Sequence, residues 1–188
     1  MLFALVASIT PGPTNLLVMS TGARFGWRAS LPVVLGGCLA SAGLVLAVGL
    51  GLGTTVLQLP GAAAALGWLG ALWLSYLGWQ IATAPVELSA DSSTARPLSG
   101  WTVAALQLIN PKPWTVALAV VGVFMHSAQA PAWLLALVFG LIAVPCMLIW
   151  AWLGVSASQW LRGGMRLRRF NQLMGALLAA SGWLGLLG

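Results

Sequence analysis

A single lysine, Lys112, lies inside an otherwise apolar run of the sequence. It follows Asn110 and Pro111, which are typical of a helix start, with asparagine as the cap and proline at the first helical position. The Lys112 ammonium would then lie at the partly positive end of a helix. Both acidic residues of the chain fall in the polar stretch 85–99, so no apolar run contains a carboxylate. These residues predict a site that attracts an anionic group from outside the chain, such as a carboxylate.

Pairs of prolines interrupt two apolar runs, at the stretches 11–13 (Pro-Gly-Pro) and 110–113 (Asn-Pro-Lys-Pro). Proline removes backbone hydrogen bonds that lipid cannot replace, so such a break persists only in packed protein or beside a wet cavity. Each break comes about nine or ten residues after the start of its run, which is roughly 15 Å of helix and near the membrane midplane. Paired broken helices in the two halves of a chain are typical of a transporter's substrate site.

The candidate substrate-binding residues are those at the breaks and at the starts of the helices that follow. They are Pro11, Gly12, Pro13, Thr14, Asn15, Asn110, Pro111 and Lys112. Both restarted helices would point their partly positive ends at the midplane. Two roles stay open for the lysine, which are pairing with a substrate carboxylate and carrying a coupled proton.

The composition explains why these residues must be positioned by helices in a membrane. The chain has 188 residues, of which 60% are hydrophobic and 5% are charged, and its mean hydropathy is +0.98. About a quarter of the residues of a soluble domain are charged. A cytosolic enzyme, a nucleic-acid-binding protein and a disordered chain are therefore excluded. An apolar span needs about 20 residues, so the chain has room for about six.

The predicted fold is an all-α membrane protein with six transmembrane helices in a single domain, 1–188. The apolar segments are 1–22, 31–57, 65–82, 101–124, 132–156 and 173–187. Three spans in each half would make the second half inverted relative to the first. We therefore expect two inverted three-helix repeats, 1–84 and 100–188, joined by a cytoplasmic loop, 85–99. Helices one and four would be the broken ones.

The positive charges predict the orientation of the chain. The loops after segments one, three and five contain all seven arginines, whereas those after segments two and four contain no Lys or Arg. Loops rich in Lys and Arg stay in the cytoplasm, so both termini are expected outside it. The N-terminus lacks a basic region and a cleavage site, and we expect no removable signal peptide. The arginines are Arg24, Arg28, Arg96, Arg162, Arg166, Arg168 and Arg169.

Four stretches of the sequence resemble the LysE/RhtB amino-acid exporter family. They are 9–15 (Ile-Thr-Pro-Gly-Pro-Thr-Asn), 22–37, 69–78 (Leu-Gly-Ala-Leu-Trp-Leu-Ser-Tyr-Leu-Gly) and 109–112 (Ile-Asn-Pro-Lys). The family's Pro-Gly-Pro motif falls on Pro11, Gly12 and Pro13, and its Asn-Pro-Lys motif on Asn110, Pro111 and Lys112. The stretches 79–85 and 95–101 look more like the branch that exports cysteine, O-acetylserine and related amino acids.

The resemblance implies a secondary transporter, not an enzyme, in the bacterial inner membrane. It would export small neutral amino acids or close derivatives from the cytoplasm and would need no cofactor. Its partners would be the substrate and the lipid bilayer, with a homodimer left open and no nucleic acid. Proton antiport is the usual proposal for the family. Segment two lacks the acidic residue that some relatives have there, which argues against a proton relay through a carboxylate.

A membrane thiol–disulfide electron carrier is the alternative function. Cys38 and Cys146 lie in segments two and five, which are corresponding members of the two halves. Against this, a buried cysteine most often acts as a small hydrophobic residue, and neither cysteine adjoins a break. We predict no metal site, because Cys, His and Met do not cluster at ligand spacing, and no role for His126 in an outer turn.

Small residues four apart in the apolar segments are interpreted as helix-packing contacts only. Such spacing lets helix backbones approach closely in lipid. The pairs are Gly37 and Ser41, Gly49 and Gly53, and Gly67 and Ala71.

Overall fold

The computed structural model describes residues 2–52, 61–84, 96–128, 130–161 and 164–187. Within these ranges the chain forms eight helices and no strand, so an all-α fold is confirmed there. The helices are α1 (Leu2–Ile9), α2 (Pro13–Phe25), α3 (Trp27–Gly49), α4 (Ala62–Ala82), α5 (Gly100–Ile109), α6 (Pro111–Ala128), α7 (Ala132–Trp160) and α8 (Gly164–Leu187). The six-span inverted repeat stays a prediction.

Each proline-containing break ends one helix and starts another. α1 ends at Ile9 and α2 begins at Pro13, whereas α5 ends at Ile109 and α6 begins at Pro111. The two helices at the second break are bent by 69° relative to each other. Proline has no N–H to donate, but it fits the first turn of a helix, where that group would have no partner. The breaks therefore occur where the sequence predicts them.

Two of the described helices are long and apolar enough to cross a membrane by themselves. They are α3, with a hydropathy of 2.2, and the part of α7 from Ala132 to Ser158, with a hydropathy of 2.6. The bent pair α5 and α6 passes the same test as one span. These helices fit a membrane protein, since about 20 apolar residues cross the hydrocarbon core.

Several positively charged residues predicted in loops belong to helices instead. α8 begins at Gly164 rather than near residue 173, so it includes Arg166, Arg168 and Arg169. Arg24 lies in the last turn of α2, and Arg28 in the first turn of α3. Arginine is a good helix former, which lets these helices continue past their apolar segments. His126 was predicted in a turn, but it lies within α6.

A single glycine, Gly26, joins α2 to α3. Its φ of +81° is a conformation that residues with a side chain rarely adopt. This residue explains why the connection is shorter than the loop predicted from the arginines.

Glycines allow close contacts between the helix backbones. A Cβ atom added to Gly36 of α3 would lie 2.1 Å from the carbonyl oxygen of Gly100. A Cβ on Gly154 of α7 would be equally close to the carbonyl oxygen of Met19, and one on Gly78 would lie 2.5 Å from that of Gly175. Larger residues would force these helices apart, as expected where small residues line membrane helix contacts.

Only some of the small residues that were predicted to pack helices together make such contacts. Gly49 faces Ala132, which agrees with packing, and Gly37 faces Thr14 and Met147. Ser41, in contrast, makes a polar contact that is described below. Gly53 lies outside the described residues.

Arginine-bearing segments meet at one end of the helix bundle. The last turns of α2 pack against the last turns of α7, where Gly22 faces the carbonyl oxygen of Ala151. The beginning of α5 packs against the first half of α3 through Gly100 and Gly36. At the opposite end, Gly49 of α3 meets Ala132, the first residue of α7. Arg24, Arg28 and Arg96 therefore lie towards the same end.

Two apolar clusters surround the broken helices. One is built mainly from α3, α6 and α7 and includes Val33, Val120, Phe139 and Met147. The other joins α2, α4, α5 and α8 and is called the leucine cluster below. Its buried members are Leu16, Leu17, Leu74, Leu77, Ile81, Leu106, Met174 and Leu178.

Candidate functional site

A cavity of about 50 Å³ lies between the two helix breaks. Its polar lining comes from Ser8, Thr14, Asn15, Ser41, Gln107, Asn110 and Lys112. Its apolar lining includes Val116, Phe139, Ala143 and Met147. One water needs about 10–15 Å³ of such space, so the central cavity has room for a few waters among polar groups of both breaks.

Side chains replace the backbone hydrogen bonds that the first break removes. Asn15 Nδ2 donates to the carbonyl oxygens of Ser8 and Thr10, each at 2.9 Å. The indole Nε1 of Trp150 donates to the carbonyl oxygen of Ile9 at 3.2 Å. Unpaired carbonyls are costly where water is excluded. The amide nitrogen of Asn15, a predicted substrate-binding group, therefore stabilises the break itself.

The second break is stabilised in a similar way. Asn110 Oδ1 accepts a hydrogen bond of 3.1 Å from the backbone N–H of Lys112, which is the predicted helix cap. The indole Nε1 of Trp114 donates to the carbonyl oxygen of Leu108 at 2.8 Å. Asn110 is buried, and its position is fixed at the edge of the central cavity.

The side chain of Lys112 crosses from the second break to the first. Its Nζ donates to the carbonyl oxygen of Thr10 at 3.0 Å. A Cβ atom on Gly12 would lie only 2.7 Å from the same Nζ, so the absence of a side chain there makes room for the ammonium. The carbonyls that follow α1 carry partial negative charge. The Thr10 carbonyl oxygen thus neutralises part of the charge of Lys112. From the sequence, only a partner from outside the chain was predicted.

The partner found for Lys112 is a dipole and not a full negative charge. Both acidic residues of the chain are in the stretch 85–99 and outside the described residues. An ammonium has three donors, and the bond to Thr10 uses one of them. The geometry therefore remains suitable for an anionic ligand beside Lys112.

A buried glutamine, Gln107, connects three helices at the cavity. Its Oε1 accepts from the Thr14 hydroxyl at 3.0 Å, and its Nε2 donates to Ser41 Oγ at 2.9 Å and to the Gly37 carbonyl oxygen at 3.2 Å. Gln107 was not among the predicted site residues, and Ser41 was predicted only as a helix-packing residue. The available signal was a lone amide in an apolar helix, since intramembrane polar groups need partners.

Ser8 is a second lining residue that the sequence did not single out. Its side chain is buried, and its Oγ has no hydrogen-bond partner in the described part of the chain. A buried hydroxyl without a partner costs about 1–3 kcal/mol. Because Ser8 lines the central cavity, a ligand there can supply the missing hydrogen bond.

Most of the predicted site residues meet at this cavity. Gly12, Pro13, Thr14, Asn15, Asn110 and Lys112 all line it. Pro11 is exposed and is not among the lining residues. Pro111 begins α6, and its side chain is not described.

Comparison with known proteins assigns the chain to a family. The model of a family described as "LysE type translocator" matches residues 5–186. The chain belongs to this family. No solved structure matches it.

Several curated relatives of this LysE-type translocator share one name. A "Cysteine/O-acetylserine efflux protein" of Escherichia coli strain K12 is 32% identical over 133 residues, which are 70% of this chain and 67% of the relative. The proteins of that name in Shigella sonnei strain Ss046 and Escherichia coli O1:K1 / APEC match at the same identity and coverage. The resemblance inferred from the four sequence stretches is thereby confirmed.

Family membership establishes the general role of the LysE-type translocator. It is a membrane transport protein and not an enzyme. The cavity at the two breaks lies within the matched region, and polar groups of the kind that line it mark substrate paths in membrane helices.

Proposed function

We propose that this translocator is a secondary exporter of small neutral amino acids or their close derivatives from the bacterial cytoplasm. It would act in the inner membrane without a cofactor. Support comes from the family match over residues 5–186 and from the relatives named as cysteine/O-acetylserine efflux proteins. The observation that carries the proposal is the cavity between the two breaks, where polar groups of both breaks, including the Lys112 ammonium beside Gly12, lie in a mainly apolar lining.

The substrate carboxylate would bind between Lys112 and the first turn of α2. The first backbone N–H groups of a helix have no partner within it, and here they belong to Thr14 and Asn15. Together with the ammonium they form a positive surface for an anion. The free hydroxyl of Ser8 would make one more hydrogen bond to the substrate.

The apolar wall of the cavity would select the side chain of the substrate. Phe139, Ala143 and Met147 contribute apolar surface and no charged group. A buried charge without a partner is costly, so a substrate with a charged side chain would be disfavoured. The narrow volume of about 50 Å³ favours small side chains and requires the substrate to displace water.

The proposed architecture has six spans in two inverted repeats, with the arginines in the cytoplasm and both termini outside. Pro11 and Pro13 are matched 100 positions later by Pro111 and Pro113, which supports a repeat. The meeting of Arg24, Arg28 and Arg96 towards one end of the bundle supports the orientation. In many transporters the substrate-binding site lies near the midplane, beside a pseudo-symmetric pair of broken helices.

An efflux assay tests the proposal. Cells would be loaded with dipeptides of cysteine, serine, alanine or lysine, and the amino acid released to the medium would be measured with and without the chain. We expect faster release of the small neutral amino acids and no change for lysine. Release equal to that of cells with an empty vector for all four would contradict the proposed function.

Asn110→Leu links this activity to the cavity. Loss of a cap costs about 1 kcal/mol, and loss of a polar lining group removes a substrate contact, so we expect export to fall at least tenfold while the protein stays in the membrane. Asn171→Leu is the matched control, because Asn171 is fully buried in α8 and its amide atoms have no partner among the described residues. Equal export by the wild type and Asn110→Leu would show that the second break is only a kink, without a role in transport.

A further inference from the structure

A second and larger cavity lies at the arginine-bearing end of the bundle. Its volume is about 330 Å³, and it is lined by residues of α2, α4 and the segment before α5. Polar groups of the lining include Ser20, Thr21, Arg24, Gln80 and Arg96. We call it the arginine cavity. From the sequence, these arginines predicted only the orientation of the chain in the membrane.

Two guanidinium groups, those of Arg24 and Arg96, belong to the described lining of this cavity. Arg24 is half-buried and lies 4.9 Å from the centre of the Phe25 ring. No carboxylate occurs in the described parts of the chain, since both acidic residues lie in the stretch 85–99. Guanidinium groups bind carboxylates through paired hydrogen bonds. The guanidinium groups of Arg24 and Arg96 therefore give this cavity the chemistry that binds a carboxylate.

The arginine cavity and the central cavity lie in order along the same helices. On α2, Thr14 and Asn15 line the central cavity, Leu16 and Leu17 belong to the leucine cluster, and Ser20, Thr21 and Arg24 line the arginine cavity. Six residues of helix, from Asn15 to Thr21, span about 9 Å.

The chain around α5 shows the same order. Leu98 lines the arginine cavity, Leu106 lies in the leucine cluster, and Gln107 lines the central cavity. Two separate elements thus place the leucine cluster as an apolar barrier between the arginine cavity and the central cavity. A path from one end of the bundle to the central cavity would begin at the arginines.

We infer that the arginine cavity is a second binding site, which receives the carboxylate of the amino acid before it enters the central cavity. The direction in which the substrate passes rests on the proposed export function, whereas binding of a carboxylate in the arginine cavity does not depend on that function. The carboxylate would pair with Arg24 and Arg96, and the ligand would then pass the leucine cluster when α2 and α4 separate. Because only the carboxylate is recognised, every small neutral amino acid would bind there.

Chemical modification of the arginines tests binding without transport. The purified chain in phosphatidylcholine vesicles would be treated with phenylglyoxal, and the rate at each arginine would be followed by mass spectrometry. L-alanine should slow modification of Arg24 and Arg96 at least threefold and leave Arg28, which does not line the cavity, unchanged. Ethylamine, which lacks the carboxylate, should protect none of them. Equal protection of all three arginines by L-alanine, or of none, would overturn the inference.

The phosphate of an anionic lipid headgroup can pair with arginine as a free carboxylate does. The composition of the vesicles distinguishes the two ligands. If Arg24 and Arg96 are protected by phosphatidylglycerol vesicles without any amino acid, the occupant is a lipid and the proposed entry site is wrong. Protection by L-alanine in both kinds of vesicle supports the inference.

Transport kinetics provide a second, independent measurement. In inside-out vesicles, Arg24→Gln and Arg96→Gln should each raise the substrate concentration for half-maximal uptake of L-alanine by about three- to tenfold, with the maximal rate nearly unchanged. Arg24→Lys should partly restore the wild-type value, and Arg28→Gln should have no effect. Equal changes in Arg24→Gln and Arg28→Gln would contradict the entry site, whereas a wild type that transports nothing would contradict the export function.

Discussion

At the scale of single residues, the ammonium of Lys112 connects the two breaks through one hydrogen bond to the Thr10 carbonyl oxygen. Because this partner is a neutral dipole, a substrate carboxylate can compete for the ammonium. Lys112→Met removes the charge and keeps much of the stem. We expect it to insert normally and to lower export at least tenfold. Binding of L-alanine and L-cysteine to the purified variant, measured from pH 6 to 9, checks this, and wild-type affinity and pH dependence would show that the site is elsewhere.

Gly12→Ala tests the same contact from the other break. The added Cβ would lie 2.7 Å from Lys112 Nζ, so the ammonium must move although its charge remains. Export should therefore fall about as far as in Lys112→Met. In the double variant Gly12→Ala/Lys112→Met the two losses should not add, since both remove one interaction. Additive losses in the efflux assay would show that Gly12 and Lys112 affect export independently of each other.

Replacement of the two cysteines distinguishes export from the alternative function, thiol–disulfide electron transfer. Both are buried and free, and the Cys38 thiol donates to the Met147 thioether at 3.5 Å. This contact assigns Cys38 to packing among apolar groups. We expect Cys38→Ala/Cys146→Ala to export at a rate within twofold of the wild type. An inactive double variant that still reaches the membrane would favour electron transfer.

At the scale of helices, indole groups stabilise the broken elements. Trp150 of α7 donates to the Ile9 carbonyl oxygen at the end of α1. Trp150→Phe keeps an aromatic side chain but removes the indole N–H, which leaves this carbonyl without its donor, so we expect a loss of about 1 kcal/mol of stability. Trp152→Phe is the control, because Trp152 is 60% exposed on the same helix. Thermal unfolding in detergent should show a lower midpoint for Trp150→Phe alone.

The positions of the breaks could be predicted from the sequence, but most of their hydrogen bonds could not. Proline removes its own N–H wherever it occurs, and Asn110 caps a helix that begins at the next residue, so both effects are local. Trp150 and Gln107 reach their hydrogen-bond partners across 141 and 66–93 positions of the chain. Such contacts depend on how the helices pack. The same limit explains why Ser41 was interpreted as a packing residue. Arg24, Arg28, Arg166, Arg168 and Arg169 were predicted in loops but lie in helices, whereas Arg96 lies outside a helix, as predicted.

At the scale of the whole molecule, the direction of transport depends on which end of the bundle faces the cytoplasm. Seven arginines and no lysine lie in or beside the connections after segments one, three and five, and such regions remain in the cytoplasm. The arginine cavity would then open towards the substrate pool, and the half-helices α1 and α6 would lie on the outer side of their breaks. An opposite orientation would make the same cavity an exit.

Single-cysteine labelling determines this orientation. The Cys38→Ala/Cys146→Ala variant would serve as the background, with one new cysteine at Gln58, Ser92, Gln129 or Gly163, which are all outside the described residues. A membrane-impermeant maleimide added to intact spheroplasts should label positions 58 and 129, because they follow the second and fourth segments. Positions 92 and 163 should react only after the membrane is opened. The reverse pattern would place the arginines outside, so the proposed export from the cytoplasm would have to begin at the end of the bundle opposite the arginine cavity.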